Sequence, residues 1–246
     1  MPASLKHIHP DTPMGATLVG GGATFRCWAP HAKAVYVVGD FNHRIRNDAA
    51  LLTRDQQGHW RGFFPGVKDR QRYMFYVVGE GSEGLKRDPY ARELESPFPA
   101  ECLIRRTDFP WHESGYVTPP FHEFVIYQLH VGTFFTPNLP HKGGTFLDVA
   151  RKLPYLADLG VTALQLMPIQ EFQTSFSLGY NGTDYFSPEM DFAVADAELP
   201  AYVAEVNKLL DAKGLRRYHA ADLHGEMNQL KALVDLAHLH GLAVLL

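Results

Sequence analysis

Two different residue patterns divide this sequence, and the change between them near Pro119 and Pro120 constrains the fold more than any other feature. From Thr17 to about Thr107, turn-forming residues recur about every eight to twelve positions. Short runs rich in valine, tyrosine and phenylalanine lie between these turns, and no long helical pattern separates them. The spacing therefore predicts an all-β, immunoglobulin-like sandwich, with strands at residues 23–28, 34–38, 60–64 and 72–78.

Beyond Pro120 the patterns follow the order strand, helix, strand, helix, strand. The apolar run at residues 124–129 is typical of a strand that is buried on both faces. Residues 161–167 and 242–246 are similar runs. This order predicts parallel pairing with right-handed crossovers, as in the first three β/α units of a TIM (β/α)8 barrel.

Helix boundaries in the second half are marked by specific residues. Thr145 and Asp148 form a capping-box pattern, Pro154 predicts a kink, and Gly160 ends the helix. A second helix is predicted in the long segment before Gly214, and a third over residues 226–240. The long segment follows the second strand, at the edge of the sheet where α/β proteins place their sites.

The sequence ends within the last predicted strand, although a closed barrel needs eight strands. We therefore expect this chain to be the front part of a longer protein. The expected organisation is a flexible tail at residues 1–15, a sandwich at residues 16–118 and an incomplete barrel at residues 119–246.

Composition excludes several classes of protein. Lys and Arg number 23 against 27 Asp and Glu, which leaves a net charge of −4 and no electrostatic footprint for nucleic acid. Two cysteines exclude a disulfide scaffold or a cysteine-rich metal site, and no histidine pair converges on a metal. No apolar run approaches the roughly 20 residues that span a bilayer, and no signal-peptide core is present, so we expect a cytoplasmic protein without a membrane partner.

Segments in both halves resemble a known family. Five segments of the first half are similar to a family-48 carbohydrate-binding module: FRCWAP (25–30), VYVVGDFN (35–42), GHW (58–60), YMFY (73–76) and DPYA (88–91). Five segments of the second half are similar to parts of a catalytic barrel. Those like its first three strands are IYQLHVGTF (126–134), GVTALQLMPI (160–169) and GLAVLL (241–246), that like the loop after the second strand is GYNGTDYF (179–186), and that like its second helix is QLKALVD (229–235). Together they resemble glycoside hydrolase family 13, the α-amylase superfamily, and most of all its members that branch glycogen.

The resemblance implies a retaining reaction on α-glucans such as glycogen, starch or maltooligosaccharides, with no cofactor. The family uses an aspartate nucleophile, a glutamate acid/base and a second aspartate on the fourth, fifth and seventh strands. Since this sequence ends in the third strand, we expect no catalytic residue in the chain and no activity from it alone. A 1,4-α-glucan branching activity of the whole protein, a maltooligosyltrehalose trehalohydrolase activity, and debranching or other α-amylase-type hydrolysis remain alternatives. A non-catalytic module that binds glucan or a partner is an alternative of another class.

Three residues of the loop after the second strand are candidates for substrate binding. By resemblance, Tyr180 lines the subsite of the transferred sugar, where an aromatic face suits a glucose ring. Its alternative is a loop tyrosine that packs beneath the long insertion after the second strand. Asn181 is either a substrate contact or a polar turn residue, and Asp184 is expected to hold the loop through local hydrogen bonds.

Acidic residues around this loop permit two interpretations: Glu171, Asp184, Glu189 and Asp191. A glycosidase pair needs about 5 Å between its carboxyl groups, which proximity in sequence does not establish. A solvated loop face is therefore the prediction.

The sandwich departs from starch-binding relatives at the positions where those proteins carry tryptophan. His43 and Arg44 follow the Gly-x-Phe-Asn turn, and residues 79–86 contain no aromatic side chain. Trp28 and Trp60 lie on strand patterns and are expected in the core. These features favour a packing and positioning role for this domain.

Overall fold

The computed structural model describes residues 1–95, 100–112, 115–137, 143–174 and 177–246. These residues form two compact units. The first unit comprises residues 1–107 together with 184–187, and the second comprises residues 108–183 and 188–246. Each unit is described by itself below.

The first unit is built from two antiparallel sheets, as the strand spacing predicts. One sheet has the order β1-β2-β5-β4, formed by β1 (Gly15–Val19), β2 (Gly22–Trp28), β5 (His59–Pro65) and β4 (Thr53–Arg54). The other contains β3 (Ala34–Gly39), β6 (Arg72–Val78) and β7 (Glu83–Lys86) in that order, and β8 (Cys102–Leu103) also pairs with β6. Short 3-10 turns lie at Asp40–Asn42 and Asp48–Ala50.

Aromatic rings fill the interior of this unit. Phe25 of β2 lies 5.3 Å from Phe64 and 5.2 Å from Tyr73, measured between ring centroids. Tyr73 in turn lies 5.9 Å from Phe75, edge to face. Such edge contacts add to the free energy of burial and bring strands of the two sheets together in one core.

The two tryptophans of this unit differ in environment. Trp60 is buried and its indole donates to the Ala29 carbonyl, which confirms the expected core position. Trp28 is 63% exposed, so the prediction of a core position was wrong for this residue. On β2 the inward side chains are Ala23, Phe25 and Cys27, and alternation turns Trp28 to the opposite face.

Several of residues 1–15, the segment expected as a flexible tail, contact the sandwich. Ala3 is buried and its amide donates to the Leu51 carbonyl at 2.8 Å. Ser4 forms an isolated β-bridge with Phe63. Arg26 donates to the carbonyls of Pro10 and Thr12. Composition did not reveal these bonds because they use backbone groups and a distant arginine.

Asp88 is a buried acid that makes the stability of the first unit depend on pH. Tyr73 donates its hydroxyl to this carboxyl at 2.6 Å, and the Tyr90 amide donates at 2.9 Å. Burial nevertheless dominates and raises the pKa of Asp88 to about 6. A raised folded-state pKa contributes stability that is complete below the unfolded pKa and is lost as pH rises through the folded pKa.

We therefore expect the first unit to lose about 2 kcal/mol of unfolding free energy through Asp88 between pH 4.5 and 7.5. Asp88→Asn keeps the size and the bonding capacity of the side chain without its charge. Urea unfolding at the two pH values should show the loss in the wild-type chain and a smaller loss in D88N. An equal loss in both proteins would contradict the assignment.

The second unit contains a parallel three-stranded sheet of order β13-β10-β9. Its strands are β9 (Ile126–Leu129), β10 (Ala163–Leu166) and β13 (Ala243–Leu245). Leu164 pairs with Tyr127 on one side and with Val244 on the other. The predicted parallel order of strands is present in this sheet.

Five helices of the described chain accompany this sheet: α1 (Val131–Phe134), α2 (Phe146–Ala150), α3 (Leu153–Asp158), α4 (Leu199–Asp211) and α5 (Glu226–Leu239). Thr145 and Asp148 cap α2 reciprocally, as predicted. Pro154 lies at the start of α3, so the predicted kink is a break between two short helices. A buried apolar cluster joins α2, α3, α4 and α5 to the sheet.

The prediction that the first parallel strand is buried on both faces was wrong. Ile126 is 44% exposed and Gln128 is also exposed, whereas Leu129 is buried. β9 is an edge strand of the described sheet, so neighbouring elements cover less of it than they cover β10.

Asp235 of α5 anchors the segment before the parallel sheet. Its fully buried carboxylate accepts from the backbone amide and from Nδ1 of His112, both at 2.7 Å, and from the hydroxyl of Tyr218. The other ring nitrogen of His112 lies 2.8 Å from the Arg216 carbonyl. This network ties three separate segments of the second unit together through one side chain.

Candidate functional site

The candidate loop lies between the second parallel strand and α4. After β10 the chain forms a small sheet of β11 (Gln170–Phe172) and β12 (Gly182–Pro188). The turn that leads into β12 carries Tyr180 and Asn181. Because β10 ends at Leu166, this loop emerges at the carboxyl edge of the parallel sheet, where the sequence predicts a site.

Gly179 gives the turn its shape. Its φ is +86°, and an added Cβ would lie 2.7 Å from Cβ of Pro168. Gln170 donates its side-chain amide to the Gly179 carbonyl at 3.0 Å, and the Tyr180 amide donates to the Ser177 carbonyl at 3.1 Å. Both the backbone angle and the close approach to proline require glycine at this position.

Tyr180 projects from this turn with 70% of its surface exposed. A fixed backbone below an exposed ring leaves an aromatic face for a flat apolar ligand surface. Asn181, the next residue, is also exposed. This exposure favours a ligand-facing role for Tyr180 over packing beneath the insertion.

Asp184 differs from the other two candidates because it is buried. Its carboxylate accepts one hydrogen bond from the guanidinium of Arg87, with Nε 3.2 Å from Oδ1, and Nη2 forms an ion pair with Oδ2 at 3.0 Å. The expected local hydrogen bonds are therefore replaced by an ion pair with a residue 97 positions away. Asp184 holds the strand, and its carboxylate faces Arg87.

Two further contacts fasten the same strand within the first unit. Ser187 donates its hydroxyl to the Ala91 carbonyl at 2.8 Å. The rings of Tyr90 and Phe186 are stacked, with centroids 4.9 Å apart and an interplanar angle of 18°. These contacts and the Arg87–Asp184 pair form a clamp on β12, which we call the β12 clamp.

The acidic residues of the loop are not a solvated face, which corrects the prediction for three of them. Glu171 and Glu189 are nearly completely buried, as is Asp184, and only Asp191 is exposed. Glu171 and Glu189 hydrogen-bond to each other, and burial raises the pKa of Glu189. Glu171 accepts from the Met190 amide and Glu189 from the Phe172 amide, both at 3.1 Å.

These bonds give the two glutamates a structural role. Two carboxyl groups in direct contact lack the separation that a glycosidase pair needs, which is about 5 Å or more. Their backbone partners lie in β11 and just after β12, so the pair closes the base of the candidate loop.

His130 is a functional candidate that the sequence reasoning missed. It follows β9 directly, at the carboxyl edge of the parallel sheet. Its ring lies edge to face with Phe192 at 5.4 Å, and burial lowers its pKa. Nε2 is buried and has no hydrogen-bond partner within the described chain. The signal that could have identified it is a histidine immediately after a predicted parallel strand.

The described ranges contain neither a metal-binding cluster nor a membrane-spanning helix. No group of three His, Cys, Asp or Glu side chains is placed to hold a metal ion there. Among the same residues, no helix combines the length and the apolar character that crossing a membrane requires.

Comparison with known proteins shows which proteins this chain resembles. Residues 13–91 match Carbohydrate-binding module 48 (Isoamylase N-terminal domain). The chain is 34% identical over 196 residues to the 1,4-alpha-glucan branching enzyme GlgB of Lactiplantibacillus plantarum, an alignment that covers 76% of this chain and 30% of that protein. It is 29% identical over 256 residues to the GlgB of Francisella philomiragia, which covers 98% of this chain and 35% of that protein. The chain resembles the N-terminal region of branching enzymes of glycoside hydrolase family 13.

Solved structures show the same fold. The pullulanase from Bacillus acidopullulyticus aligns with a TM-score of 0.69 and 22% identity over 94% of this chain and 29% of that one. The GBS pullulanase SAP in complex with maltotetraose aligns with a TM-score of 0.69 and 20% identity over 95% of this chain and 33% of that one. The chain spans about a third of the length of the proteins that it matches.

Proposed function

We propose that this chain is the front part of a cytoplasmic, α-glucan-active transglycosylase, a 1,4-α-glucan branching enzyme. The observation that carries the proposal is the exposed ring of Tyr180, fixed on the Gly179 turn at the carboxyl edge of the second parallel strand. The GlgB relatives support branching rather than hydrolysis.

The residues of this chain would position the donor glucan. The ring of Tyr180 would stack on one glucose unit and orient it, while the neutral amide of Asn181 offers both donors and an acceptor to sugar hydroxyls. Gly179 and the buried Glu171–Glu189 contact hold the turn, and Asp184 holds β12 through Arg87. Positioning of this kind lowers the activation barrier of glycosyl transfer only when the reacting groups lie next to the anomeric carbon of the bound sugar.

Those reacting groups would come from strands that follow the three described here. By resemblance to family 13, an aspartate attacks the anomeric carbon while a glutamic acid protonates the leaving oxygen. The glutamate then takes the proton of a 6-hydroxyl of another glucan as that oxygen displaces the aspartate, so the α-configuration is retained. We propose that the 246-residue chain alone neither cleaves nor transfers glycosidic bonds.

The test is a transfer assay with amylose and the native-length protein. Branching predicts new α-1,6 linkages with little gain in reducing ends. A gain in reducing ends without α-1,6 linkages would overturn branching in favour of trehalose-releasing, debranching or other hydrolytic alternatives. In the same assay Tyr180→Ala should lower kcat/KM by about tenfold, because that variant loses the stacking surface.

A non-catalytic glucan-binding module is the second candidate function. The exposed indole of Trp28 favours it, since that ring lies within residues 13–91, which match the carbohydrate-binding module. Retention of the chain on glycogen without turnover would be its signature.

A further inference from the structure

A cavity of about 230 Å³ lies in the second unit, where α2 meets α3 beside α4. Six residues line it: Phe135, Arg151, Lys152, Glu205, Lys208 and Leu209. None of the six belongs to the loop that carries Tyr180, so the cavity shares no residue with the candidate site. Three of them are basic although the chain has a net charge of −4, which makes the cavity an exception to the acidic composition.

The junction between α2 and α3 places two consecutive basic residues at the cavity, Arg151 and Lys152. The Arg151 amide donates to the Leu147 carbonyl at 3.2 Å. The Lys152 amide donates to the Val149 carbonyl at 2.9 Å. The next residue, Leu153, is fully buried, so packing in the core fixes the backbone from which both cations project.

Phe135 provides an aromatic ring for these two cations. Its centroid lies 4.0 Å from Nζ of Lys152 and 5.8 Å from Cζ of Arg151. Both distances are within the roughly 6 Å range of a cation–π contact. A Cβ at Gly144 would lie 2.6 Å from the Phe135 carbonyl oxygen, so the backbone of Phe135 is held by a close neighbour. The ring therefore holds both cations at this wall of the cavity.

α4 provides the remaining wall. The helix buries Leu199, Val203, Val206, Asn207 and Leu210, which leaves Glu205, Lys208 and Leu209 beside the buried stripe. Nζ of Lys208 lies 2.6 Å from Oε1 of Glu205. This bond lowers the pKa of Glu205, and the charge of Arg151 acts in the same direction. The charges of the junction and of α4 therefore act on one cavity.

The charges around the cavity favour an anion. Arg151, Lys152 and Lys208 face a single lining carboxylate, that of Glu205. Buried Asp148 lies behind Arg151, with Oδ1 3.4 Å from Nη1, and its other oxygen accepts bonds at the start of α2. Three positive charges against these two carboxylates leave a net charge of +1. Lys208 is exposed, so it can exchange Glu205 for a ligand with little loss, because an exposed ion pair contributes little stability.

A small phosphate monoester fits these features. A guanidinium recognises phosphate oxygens with paired donors, and an ammonium adds a point charge. The side chains of Phe135 and Leu209 offer apolar surface to the carbon atoms of an ester. The cavity is smaller than the roughly 300–1,000 Å³ of sites for drug-sized molecules, so the ester must be small.

We propose that this cavity binds the phosphate group of a small organic phosphate monoester. Arg151, Lys152 and Lys208 hold the phosphate oxygens, while Phe135 and Leu209 contact the organic part. The inference goes beyond the proposed function and does not rest on it, since no residue of the glucan site takes part.

Isothermal titration calorimetry of the 246-residue chain at constant ionic strength tests the cavity. Glycerol 3-phosphate is the probe, inorganic phosphate tests the phosphate group alone, and glycerol is the uncharged control. Lys152→Gln should raise the Kd for glycerol 3-phosphate by about tenfold, because a charge-assisted contact is lost. Lys213→Gln is the matched control and should leave this Kd unchanged, since it removes an exposed lysine just beyond the end of α4.

Glu205→Gln should change the affinity in the opposite direction. It removes the lining carboxylate, so the Kd for glycerol 3-phosphate should fall by about threefold. A misfolded variant does not bind more tightly, so this result separates charge from loss of structure. No binding of glycerol 3-phosphate to the wild-type chain, or an unchanged Kd in both Lys152→Gln and Glu205→Gln, would overturn the site. Equal affinity for inorganic phosphate would overturn the organic ester as ligand, and equal affinity for glycerol would overturn the role of charge.

Discussion

Arg87→Ala is expected to destabilise the first unit by about 3 kcal/mol. The substitution leaves the carboxylate of Asp184 buried without the guanidinium that donates to Oδ1 and forms an ion pair with Oδ2. An uncompensated buried charge lowers the free energy of unfolding by more than the intact pair adds to it. The expected loss of stability is therefore large. Urea unfolding at constant pH, followed by tryptophan emission, measures it.

Two companion variants separate the effect of this ion pair from the effect of any substitution at the end of β7. Lys86→Ala removes an exposed neighbouring charge and should change stability by less than about 0.5 kcal/mol. Arg87→Lys keeps the charge but not the paired donors, so it should fall between Arg87→Ala and the wild-type chain. If Arg87→Ala were as stable as Lys86→Ala, the β12 clamp would not depend on this ion pair.

Asp235→Ala is expected to have a still larger effect, about 4 kcal/mol, on the second unit. The change leaves the His112 amide, the His112 ring and the Tyr218 hydroxyl without their common acceptor in a fully buried position. Each unsatisfied buried donor costs about 1 to 3 kcal/mol, and partial relaxation makes the sum smaller than three full penalties. Thermal and urea unfolding of the variant give the loss.

Tyr218→Phe provides the graded comparison for Asp235→Ala. It removes a single hydroxyl and retains both His112 bonds, so the expected loss is about 1 to 2 kcal/mol. Lys208→Ala, an exposed change on α4, serves as the surface control. Equal losses in Asp235→Ala and Tyr218→Phe would show that the network does not act through Asp235.

Local patterns predicted the regular elements because the forces that form them act over a few residues. The capping box at Thr145, the break at Pro154 and the alternation in β6 all depend on neighbours in sequence. The parallel order of β9, β10 and β13 follows from the helices between them. Tyr180 was placed by resemblance, and its exposure agrees with the proposed role.

Partnerships between distant residues could not be predicted in the same way. Asp184 accepts a hydrogen bond from Arg87, which lies 97 positions earlier in the sequence. The local sequence around either residue does not indicate the other. Trp28 lies on a strand pattern that suits a core residue, and only the pairing of β2 with β5 shows that its face points outward. Glu171 and Glu189 are buried because β11 pairs with β12. The composition of this segment indicates only a polar loop.

The intact mass of the native protein in the fraction that transfers glucan tests the central claim most directly. The account predicts a mass well above the 27.6 kDa of this chain, together with α-1,6 linkage formation on amylose. A native protein of 27.6 kDa that binds glycogen without turnover would contradict the transglycosylase proposal and leave a glucan-binding module in its place.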